Sequence, residues 1–214
     1  MEILYSDDRV VVCIKPAGVL STDEPGGMPE RLREALGGDA VVKSVHRLDR
    51  AVSGVMVYAR TKRAASDLGR QIMDGAFRKE YLAVVHGVPE EREAVLRDFL
   101  LRDKAQRKTF VVPEGTPDAR EALLEYACLG TEEGLSLLSV RLYTGRTHQI
   151  RCQLSAHGHP ILGDRKYGAE DHADGISLIS HRIVFSHPRT GERMSFAYEK
   201  PGKYPWDLFE RVML

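Results

Sequence analysis

Residues 55–85, with the sequence VMVYARTKRAASDLGRQIMDGAFRKEYLAVV, contain two strand patterns with a helix pattern between them. Thr61 is a typical N-cap residue, and Gly75 is a typical helix end. Between them, apolar side chains recur at helical spacing, at Ala64, Ala65, Leu68 and Ile72. Residues 55–59 are mostly apolar, and residues 79–85 alternate with a period of two, which favours strands. A strand, a helix and a strand in succession indicate a fold that mixes α and β elements.

The same criteria, applied outward from this segment, predict further elements. Strands are expected at residues 10–14, 123–129, 135–142, 183–186 and 194–197, the last two as a hairpin. Helices are expected at residues 29–36 and at 148–157, the second with Thr147 as its N-cap and Gly158 as its end. The stretch 89–134 is rich in charged and loop-forming residues. The sequence therefore predicts one α+β domain over residues 1–214, with a mixed, mostly antiparallel central sheet and peripheral helices.

The composition is that of an ordinary globular protein, with 43% apolar and 29% charged residues in a chain of 214. The three cysteines are far apart in the sequence and form no CxxC pair, which is typical of proteins in a reducing compartment. The first residues include acidic side chains where a signal peptide is basic, and no apolar run is long enough to span a bilayer. We therefore expect a cytoplasmic protein without a membrane partner, and we expect it to be a monomer.

The charges are unevenly distributed, although the formal net charge is zero. Residues 43–79 contain nine basic and three acidic side chains, whereas residues 112–139 contain six acidic and one basic. A phosphate backbone responds to a local basic surface rather than to the net charge, so this pattern is compatible with a nucleic-acid partner. The alternative is that these are ordinary solvated charges.

A single carboxylate lies between two arginines in the segment His46-Arg47-Leu48-Asp49-Arg50, which is followed by Ser53-Gly54. The neighbouring cations favour the ionised form of Asp49. An ionised and oriented carboxylate can act as a nucleophile or stabilise a developing cation, as glycosidic chemistry requires. The alternative is a surface cluster of ion pairs that closes a turn.

Residues 144–151 form a second candidate, because a glycine turn there leads into a predicted helix with Arg146, His148, Gln149 and Arg151 at its start. A helix N-terminus with adjacent arginines suits an anion, either a phosphate or the Asp49 carboxylate. The alternative is an ordinary charged helix start. Tyr81 is a third candidate, since it either lies in a core or stacks against a base.

Histidines raise a metal-binding alternative. His157 and His159, or the pair Asp171-His172, could supply ligands, but HExxH and paired CxxC patterns are absent. A GxGxxG after the first strand and a GxxxxGK[ST] are absent as well, so the sequence offers no evident site for a nucleotide cofactor.

Together, these segments resemble the RluA-type family of pseudouridine synthases. The similarity extends in order over nearly the whole chain, which makes it far more specific than any single motif. The matching stretches are Lys15-Pro16-Ala17-Gly18, His46 to Arg50 with Ser53-Gly54, Lys79 to Ala83 with Gly87, Thr144 to Arg151, His157 to Asp164, Tyr167-Gly168 and Phe185 to Pro188. The chain departs from the family at Ala51-Val52, where Asp-Thr is usual, and at Ile14, where Asn is usual. These departures bear on substrate choice more than on the reaction.

The resemblance implies a pseudouridine synthase fold, with the central sheet in two halves and a catalytic cleft between them. It implies that Asp49 is the catalytic carboxylate, that Arg151 pairs with it, and that Tyr81 stacks on the target uracil. Arg47 is similar to the arginine that fills the space left by the extracted nucleotide, and Ile150 to the apolar residue near the base. The remaining residues expected to bind substrate are Arg50, Arg146, His148 and Gln149.

The expected activity is isomerisation of a uridine in a loop of structured ribosomal or transfer RNA, without a metal or any other cofactor. Many relatives carry an additional N-terminal S4-type RNA-binding domain, so this chain is expected to be a short form. Two other hypotheses stay open at this point. One is a non-catalytic RNA-binding protein with the same fold, and the other is a metal-dependent hydrolase.

Overall fold

The computed structural model describes residues 1–212. These residues form two compact units. The first unit comprises Met1–Lys79 and Ile179–Glu199, and the second comprises Glu80–Leu178 and the C-terminal segment from Lys200. The larger part of the second unit, Glu80–Leu178, is thus inserted in sequence between the two parts of the first. No helix within residues 1–212 is long and apolar enough to cross a membrane.

Each unit is built on β-strands, with helices at the sheet surfaces. The strands are β1 (Glu2–Ser6), β2 (Val10–Lys15), β3 (Lys43–Ser44), β4 (Ser53–Ala59), β5 (Arg78–His86), β6 (Glu93–Asp103), β7 (Lys108–Val112), β8 (Arg120–Glu132), β9 (Leu135–Leu142), β10 (Leu178–Ser186) and β11 (Arg193–Ala197). The helices are α1 (Met28–Leu36), α2 (Lys62–Met73) and α3 (Gln149–Ala156), and short 3₁₀ helices span Arg165–Tyr167 and Trp206–Phe209.

The first unit has the strand order β1-β2-β4-β10, with β11 paired to β10 and β3 paired to β4. The β4–β10 pair is parallel, and the other pairs of this unit are antiparallel. One face of the sheet packs against α2, where Ala64 and Leu68 are buried among the strand side chains. The other members of this core are Val10, Val12, Ile14, Val55, Val57, Ala59, Phe77, Ile183 and Phe185.

The second unit has the strand order β5-β9-β8-β6-β7, and all of these pairs are antiparallel. Helix α3 packs against this sheet, with Cys152 in one buried cluster with Leu100, Ala122 and Tyr167. Gln153, fully buried, donates through Nε2 to the carbonyls of Leu96 and Ala122 at 3.2 and 3.4 Å. Apolar contacts and amide hydrogen bonds therefore fix α3 on β6 and β8.

The structure confirms an α+β fold with a mixed, mostly antiparallel sheet, and it corrects several local predictions. Residues 89–134 contain β6 and β7, although their charges indicated loops. Charged side chains occupy the exposed face of β6, as at Glu93 and Arg97, and mask the alternation with buried Leu96 and Leu100. Strand β8 continues to Glu132, beyond the predicted end at residue 129.

The start of α3 was also predicted incorrectly. Thr147 does not cap the helix; the N-cap residue is His148, with φ 56°, and it makes no side-chain capping bond. Thr147 instead contributes its carbonyl, which accepts a hydrogen bond from Thr109 Oγ1 at 2.9 Å. Helix α2, in contrast, begins after Thr61 as predicted, and the Thr61 hydroxyl accepts the Ala64 N–H. Gly75, with φ 71°, follows the C-cap residue Asp74, so it ends the helix as predicted.

Gly54 allows the close approach of β4 and β10. Its φ is +130°, and an added Cβ would lie 2.6 Å from Ser180 N and closer still to Ser180 O. Ser180 Oγ in turn donates to the Val55 carbonyl at 3.0 Å. Only glycine combines this backbone conformation with this backbone contact.

We expect Gly54→Ala to lower the free energy of unfolding by about 3 kcal/mol or more, because the strain and the collision act together. Gly69→Ala is the matched control. Gly69 lies inside α2 with no atom within 4 Å of an added Cβ, so alanine there should stabilise by about 0.5–1 kcal/mol. Urea unfolding of both variants measures the difference, and equal effects would contradict this account of Gly54.

Candidate active site

The backbone before Asp49 is fixed by Ser21. Its hydroxyl donates to the Leu48 carbonyl at 3.0 Å and accepts the Leu48 N–H at 3.2 Å. The Ser21 carbonyl is itself held by the hydroxyls of Tyr58 and Ser44, each at 3.0 Å. Ser21 is buried, so these bonds form away from competing water.

The backbone after Asp49 is fixed by the loop that follows β2. The Arg50 carbonyl accepts the Gly18 N–H at 2.7 Å, and Arg50 Nε returns a hydrogen bond to the Gly18 carbonyl at 2.8 Å. The Asp49 carbonyl accepts the Val52 N–H at 3.1 Å and closes a turn. The chain is thus held on both sides of the partly exposed Asp49 side chain.

Lys15 joins these two loops from inside the first unit. Its side chain is fully buried, and Nζ donates to the carbonyls of Pro16 at 2.9 Å, Val19 at 2.8 Å and Arg50 at 3.3 Å. Burial lowers the pKa of this ammonium group to about 8, and the Asp49 carboxylate partly opposes the shift. A buried cation therefore lies within electrostatic reach of Asp49.

His46, at the start of the same segment, serves the fold. Its Nε2 accepts the Val57 N–H at 3.2 Å, and its ring contacts Phe77 with 5.4 Å between centroids. Burial, and secondarily the charge of Lys79, lowers the pKa of His46 to about 3. The imidazole is therefore neutral at physiological pH, and its acceptor nitrogen is occupied by the backbone.

In the second unit, Tyr81 lies on β5 opposite Val140 of β9, and its side chain is buried. Arg151 lies on α3 and is also buried. Its guanidinium donates from Nε to Asp164 Oδ2 at 2.7 Å and from Nη2 to Asp164 Oδ1 at 2.8 Å. The Tyr167 ring covers one face of the guanidinium, 5.0 Å from Cζ to the ring centroid.

The other predicted residues at the start of α3 have defined partners too. His148 Nδ1 lies 2.8 Å from the Tyr167 hydroxyl, and that hydroxyl also accepts the Thr109 N–H at 2.9 Å. Arg146 is exposed and donates through Nε to the Glu121 carbonyl at 2.9 Å.

Gln149 is buried, and its amide organises the preceding turn. Its Oε1 accepts from Thr144 Oγ1 at 2.8 Å and from Arg146 N at 3.0 Å, while Nε2 donates to Leu123 O at 3.1 Å. Ile150, the next residue, is buried as well. The contacts of both residues with substrate stay predictions.

The structure thus places the predicted residues in two groups, one in each unit. Arg47, Asp49 and Arg50 share one loop of the first unit, with both arginines exposed. Tyr81, Arg146 and the residues from His148 to Arg151 belong to the second unit. Four further residues support these groups, and the sequence indicated no role for them: Lys15, Ser21, Asp164 and Tyr167. Lys15, Asp164 and Tyr167 occur in the stretches that carry the family resemblance.

The histidines of the metal-binding alternative have separate partners. His157 contacts Asp98 at 3.1 Å, and His159 contacts the His86 carbonyl at 3.2 Å. Asp171 accepts from His86 at 2.7 Å and from the Gly163 N–H at 2.9 Å. Within residues 1–212, His, Cys, Asp and Glu side chains form no group of three that could hold a metal ion.

Comparison with known proteins adds independent information. Residues 9–156 match the family model described as RNA pseudouridylate synthase. The chain is 37% identical over 210 residues to the dual-specificity RNA pseudouridine synthase RluA of Escherichia coli (strain K12), which covers 91% of this chain and 90% of that protein. It is 32% identical over 235 residues to ribosomal large subunit pseudouridine synthase D of Zymomonas mobilis, covering 100% and 73% of the two chains.

Solved structures show the same fold. Human RNA pseudouridylate synthase domain containing 1 superposes with a TM-score of 0.80 at 24% identity, covering 97% of this chain and 85% of that chain. Human RNA pseudouridylate synthase domain containing 4 also gives 0.80, at 22% identity, covering 99% and 92%. At these identities the likeness concerns the fold.

The buried ammonium of Lys15 predicts a pH-dependent stability. The unfolded chain holds this proton up to the ordinary lysine pKa of 10.5, whereas the folded chain releases it at about 8. The cost of burying the charge is complete below pH 8 and disappears as the pH rises toward 10.5. The free energy of unfolding of the wild-type protein should therefore rise across this window relative to Lys15→Met, by about 3 kcal/mol at most.

Urea unfolding at intervals from pH 7 to 10.5 measures this difference. Lys62→Met is the control, because it makes the same change at an exposed position of α2. The free energy of unfolding of Lys62→Met should change with pH in the same way as that of the wild-type protein. A constant gap between wild type and Lys15→Met over the whole window would contradict the assignment.

Proposed function

The chain belongs to the RNA pseudouridylate synthase family and is an RNA pseudouridine synthase, and from this premise we propose that Asp49 carries the reaction on uridines in loops of ribosomal or transfer RNA. The family match carries the proposal, because residues 9–156 include Asp49, Tyr81 and Arg151. One relative is named for the ribosomal large subunit and another as dual-specificity. We also propose that the protein acts as a monomer in the cytoplasm.

The reaction is an isomerisation. The bond between N1 and C1′ of uridine breaks, the uracil turns, C5 bonds to C1′, and the C5 proton leaves while N1 gains one. Asp49 either attacks C1′ or removes a sugar proton to give a glycal-like intermediate. Both routes need an ionised carboxylate with a fixed direction beside the sugar.

The loop around Asp49 supplies that fixed direction. Ser21 binds both backbone polar groups of Leu48, and Lys15 and Gly18 bind the Arg50 carbonyl. Because the backbone on each side of Asp49 is held, the position of its Cα atom and the direction of its Cα–Cβ bond are fixed. Such preorganisation lowers the entropic cost of reaching the reactive geometry.

The target base has to leave its stack before it can react, which costs a few kcal/mol. We propose that stacking of the uracil on Tyr81 recovers about 1–3 kcal/mol of this cost. Arg47, whose side chain is exposed, enters the space that the nucleotide vacates. Tyr81 or a water molecule then accepts the C5 proton.

The remaining predicted residues complete the proposal. From the family resemblance, we propose that Arg151 is the basic residue that pairs with the catalytic carboxylate. Arg50 and Arg146, both exposed, contact phosphates. His148, Gln149 and Ile150 shape the surroundings of the base, Gln149 by holding the turn before α3.

We expect Asp49→Asn to lower kcat by more than about a thousandfold, because the amide can neither attack nor remove a proton. Release of tritium from RNA labelled at C5 of uridine measures turnover. RNA affinity and melting temperature should stay close to the wild-type values. Asp39→Asn, an exposed loop substitution of the same chemistry, should keep full activity. A fully active Asp49→Asn enzyme would refute the proposal.

A basic surface in the second unit supports RNA binding. We call residues 102–108, at the end of β6, the following turn and the start of β7, the basic hairpin. Its side chains include Arg102, Lys104, Arg107 and Lys108. The one acidic residue, Asp103, binds Gln106 through both carboxylate oxygens, at 2.9 and 2.8 Å, and so closes the turn.

The basic hairpin is connected to the start of α3. Lys166 donates to the Arg107 carbonyl at 3.0 Å, which brings a further cation to this surface. Thr109, directly after the hairpin, bonds to Thr147 and Tyr167. Phosphates bound here would therefore lie in a fixed relation to the segment that carries His148 and Arg151.

We expect Arg102→Gln combined with Lys104→Gln to weaken RNA binding and to reduce the slope of log affinity against log salt by up to about 2. The control is Arg33→Gln combined with Arg189→Gln. It removes the same charge from arginines that are paired with Asp23 and Asp8. Filter binding at several salt concentrations measures both slopes. Equal slopes for the two variants would exclude the hairpin as an RNA contact.

A further inference from the structure

Two hydrogen bonds and an aromatic ring hold the guanidinium of Arg151 in place. Asp164 takes the Nε–Nη2 edge of the guanidinium with two bonds of 2.7 and 2.8 Å, and the Tyr167 ring takes one face. The side chains of Arg151 and Asp164 are only 10% and 2% exposed. One edge and one face of the guanidinium are therefore fixed in a buried setting.

We propose that Asp164 is a positioning residue of the reaction, which acts by fixing the plane of the Arg151 guanidinium. Nη1 lies on the edge that Asp164 does not use, so its direction is set by the carboxylate on the opposite side. This inference rests on the proposed function, because Arg151 is assigned to the reaction there. Asp164 itself touches no reacting atom.

The backbone of Asp164 is rigid enough for this role. Its carbonyl accepts the N–H groups of Tyr167 at 2.9 Å and Ala169 at 3.2 Å, and its own N–H donates to Ile161 O at 2.9 Å. The preceding Gly163 packs so closely on Gly175 O that no Cβ would fit, at a φ of +81°. The carboxylate is thus presented from a backbone with little freedom to move.

Asp164 also occupies one of the edges through which Arg151 could bind an anion. A guanidinium binds a phosphate most strongly through two parallel N–H groups. With Asp164 bound to the Nε–Nη2 edge, Arg151 cannot offer that edge to a phosphate of the RNA.

Asp171 provides a matched control in the same loop. Its carboxylate binds His86 and the backbone N–H groups of Gly163 and Ala173 rather than Arg151. Asp171→Asn makes the same chemical change and tests the loop as a structural element. Asp164→Asn tests the loop and the hold on Arg151 together.

The experiment is a double-mutant cycle read by steady-state tritium release, with Asp164→Asn, Arg151→Ala, the double variant and Asp171→Asn. We expect Asp164→Asn to lower kcat about 10- to 100-fold with KM for RNA within about twofold, because a misdirected guanidinium affects the chemistry and not the docking. In the Arg151→Ala background it should change kcat by less than about threefold. Asp164→Glu should recover part of the loss, and Asp171→Asn should keep kcat.

An equal loss in both backgrounds would overturn the proposal, as would an equal loss in Asp171→Asn, since Asp164 would then support only the fold. A loss confined to KM would overturn it too. If Arg151→Ala retained full kcat while Asp49→Asn was inactive, the role of Arg151 would be wrong and the proposed reaction would stand. These outcomes separate the two assignments.

Discussion

The Asp49 loop depends on the hydrogen bonds that the ammonium group of Lys15 donates. This ammonium group is buried, and it donates hydrogen bonds to three backbone carbonyls. Charge-assisted hydrogen bonds of this kind contribute about 1.5–3 kcal/mol each. The lowered pKa shows that they do not fully offset desolvation. The fold therefore retains a costly buried charge where it joins the loop after β2 to the loop that carries Asp49.

The second unit also contains a buried charge, but this charge is paired. Arg151 is buried, but Asp164 neutralises it through two hydrogen bonds and Tyr167 covers its face. A buried pair contributes little net stability, yet breaking it is costly, so its geometry is strongly preserved. Each unit thus holds one of its catalytic candidates, Asp49 or Arg151, by desolvated polar contacts. These contacts set direction more than they add stability.

The sequence predicted much of the fold, because α2 buries one face at helical spacing and because β4 and β9 are largely apolar runs buried on both faces. It failed at β6, where charges on the exposed face hid the alternation, and at His148, whose left-handed backbone has no signature in a single sequence. Asp49 was found because a carboxylate between arginines suggests chemistry, and the family resemblance made the suggestion specific. The bonds from Ser21 to Leu48 and from Asp164 to Arg151 join residues 27 and 13 positions apart. Long-range partners of this kind follow from tertiary packing, which local patterns do not encode.

The parallel pairing of β4 with β10 has a consequence for synthesis on the ribosome. The second unit is complete in sequence, apart from its C-terminal segment, before β10 and β11 have been made. Until β10 has been made, the edge of β4 at which Gly54 pairs with Ser180 has no neighbouring strand. The core beneath α2 also lacks Phe185 at this stage. Domains generally fold as units during translation. A nascent chain that ends before residue 179 thus carries the Asp49 loop on a sheet that still lacks β10 and β11.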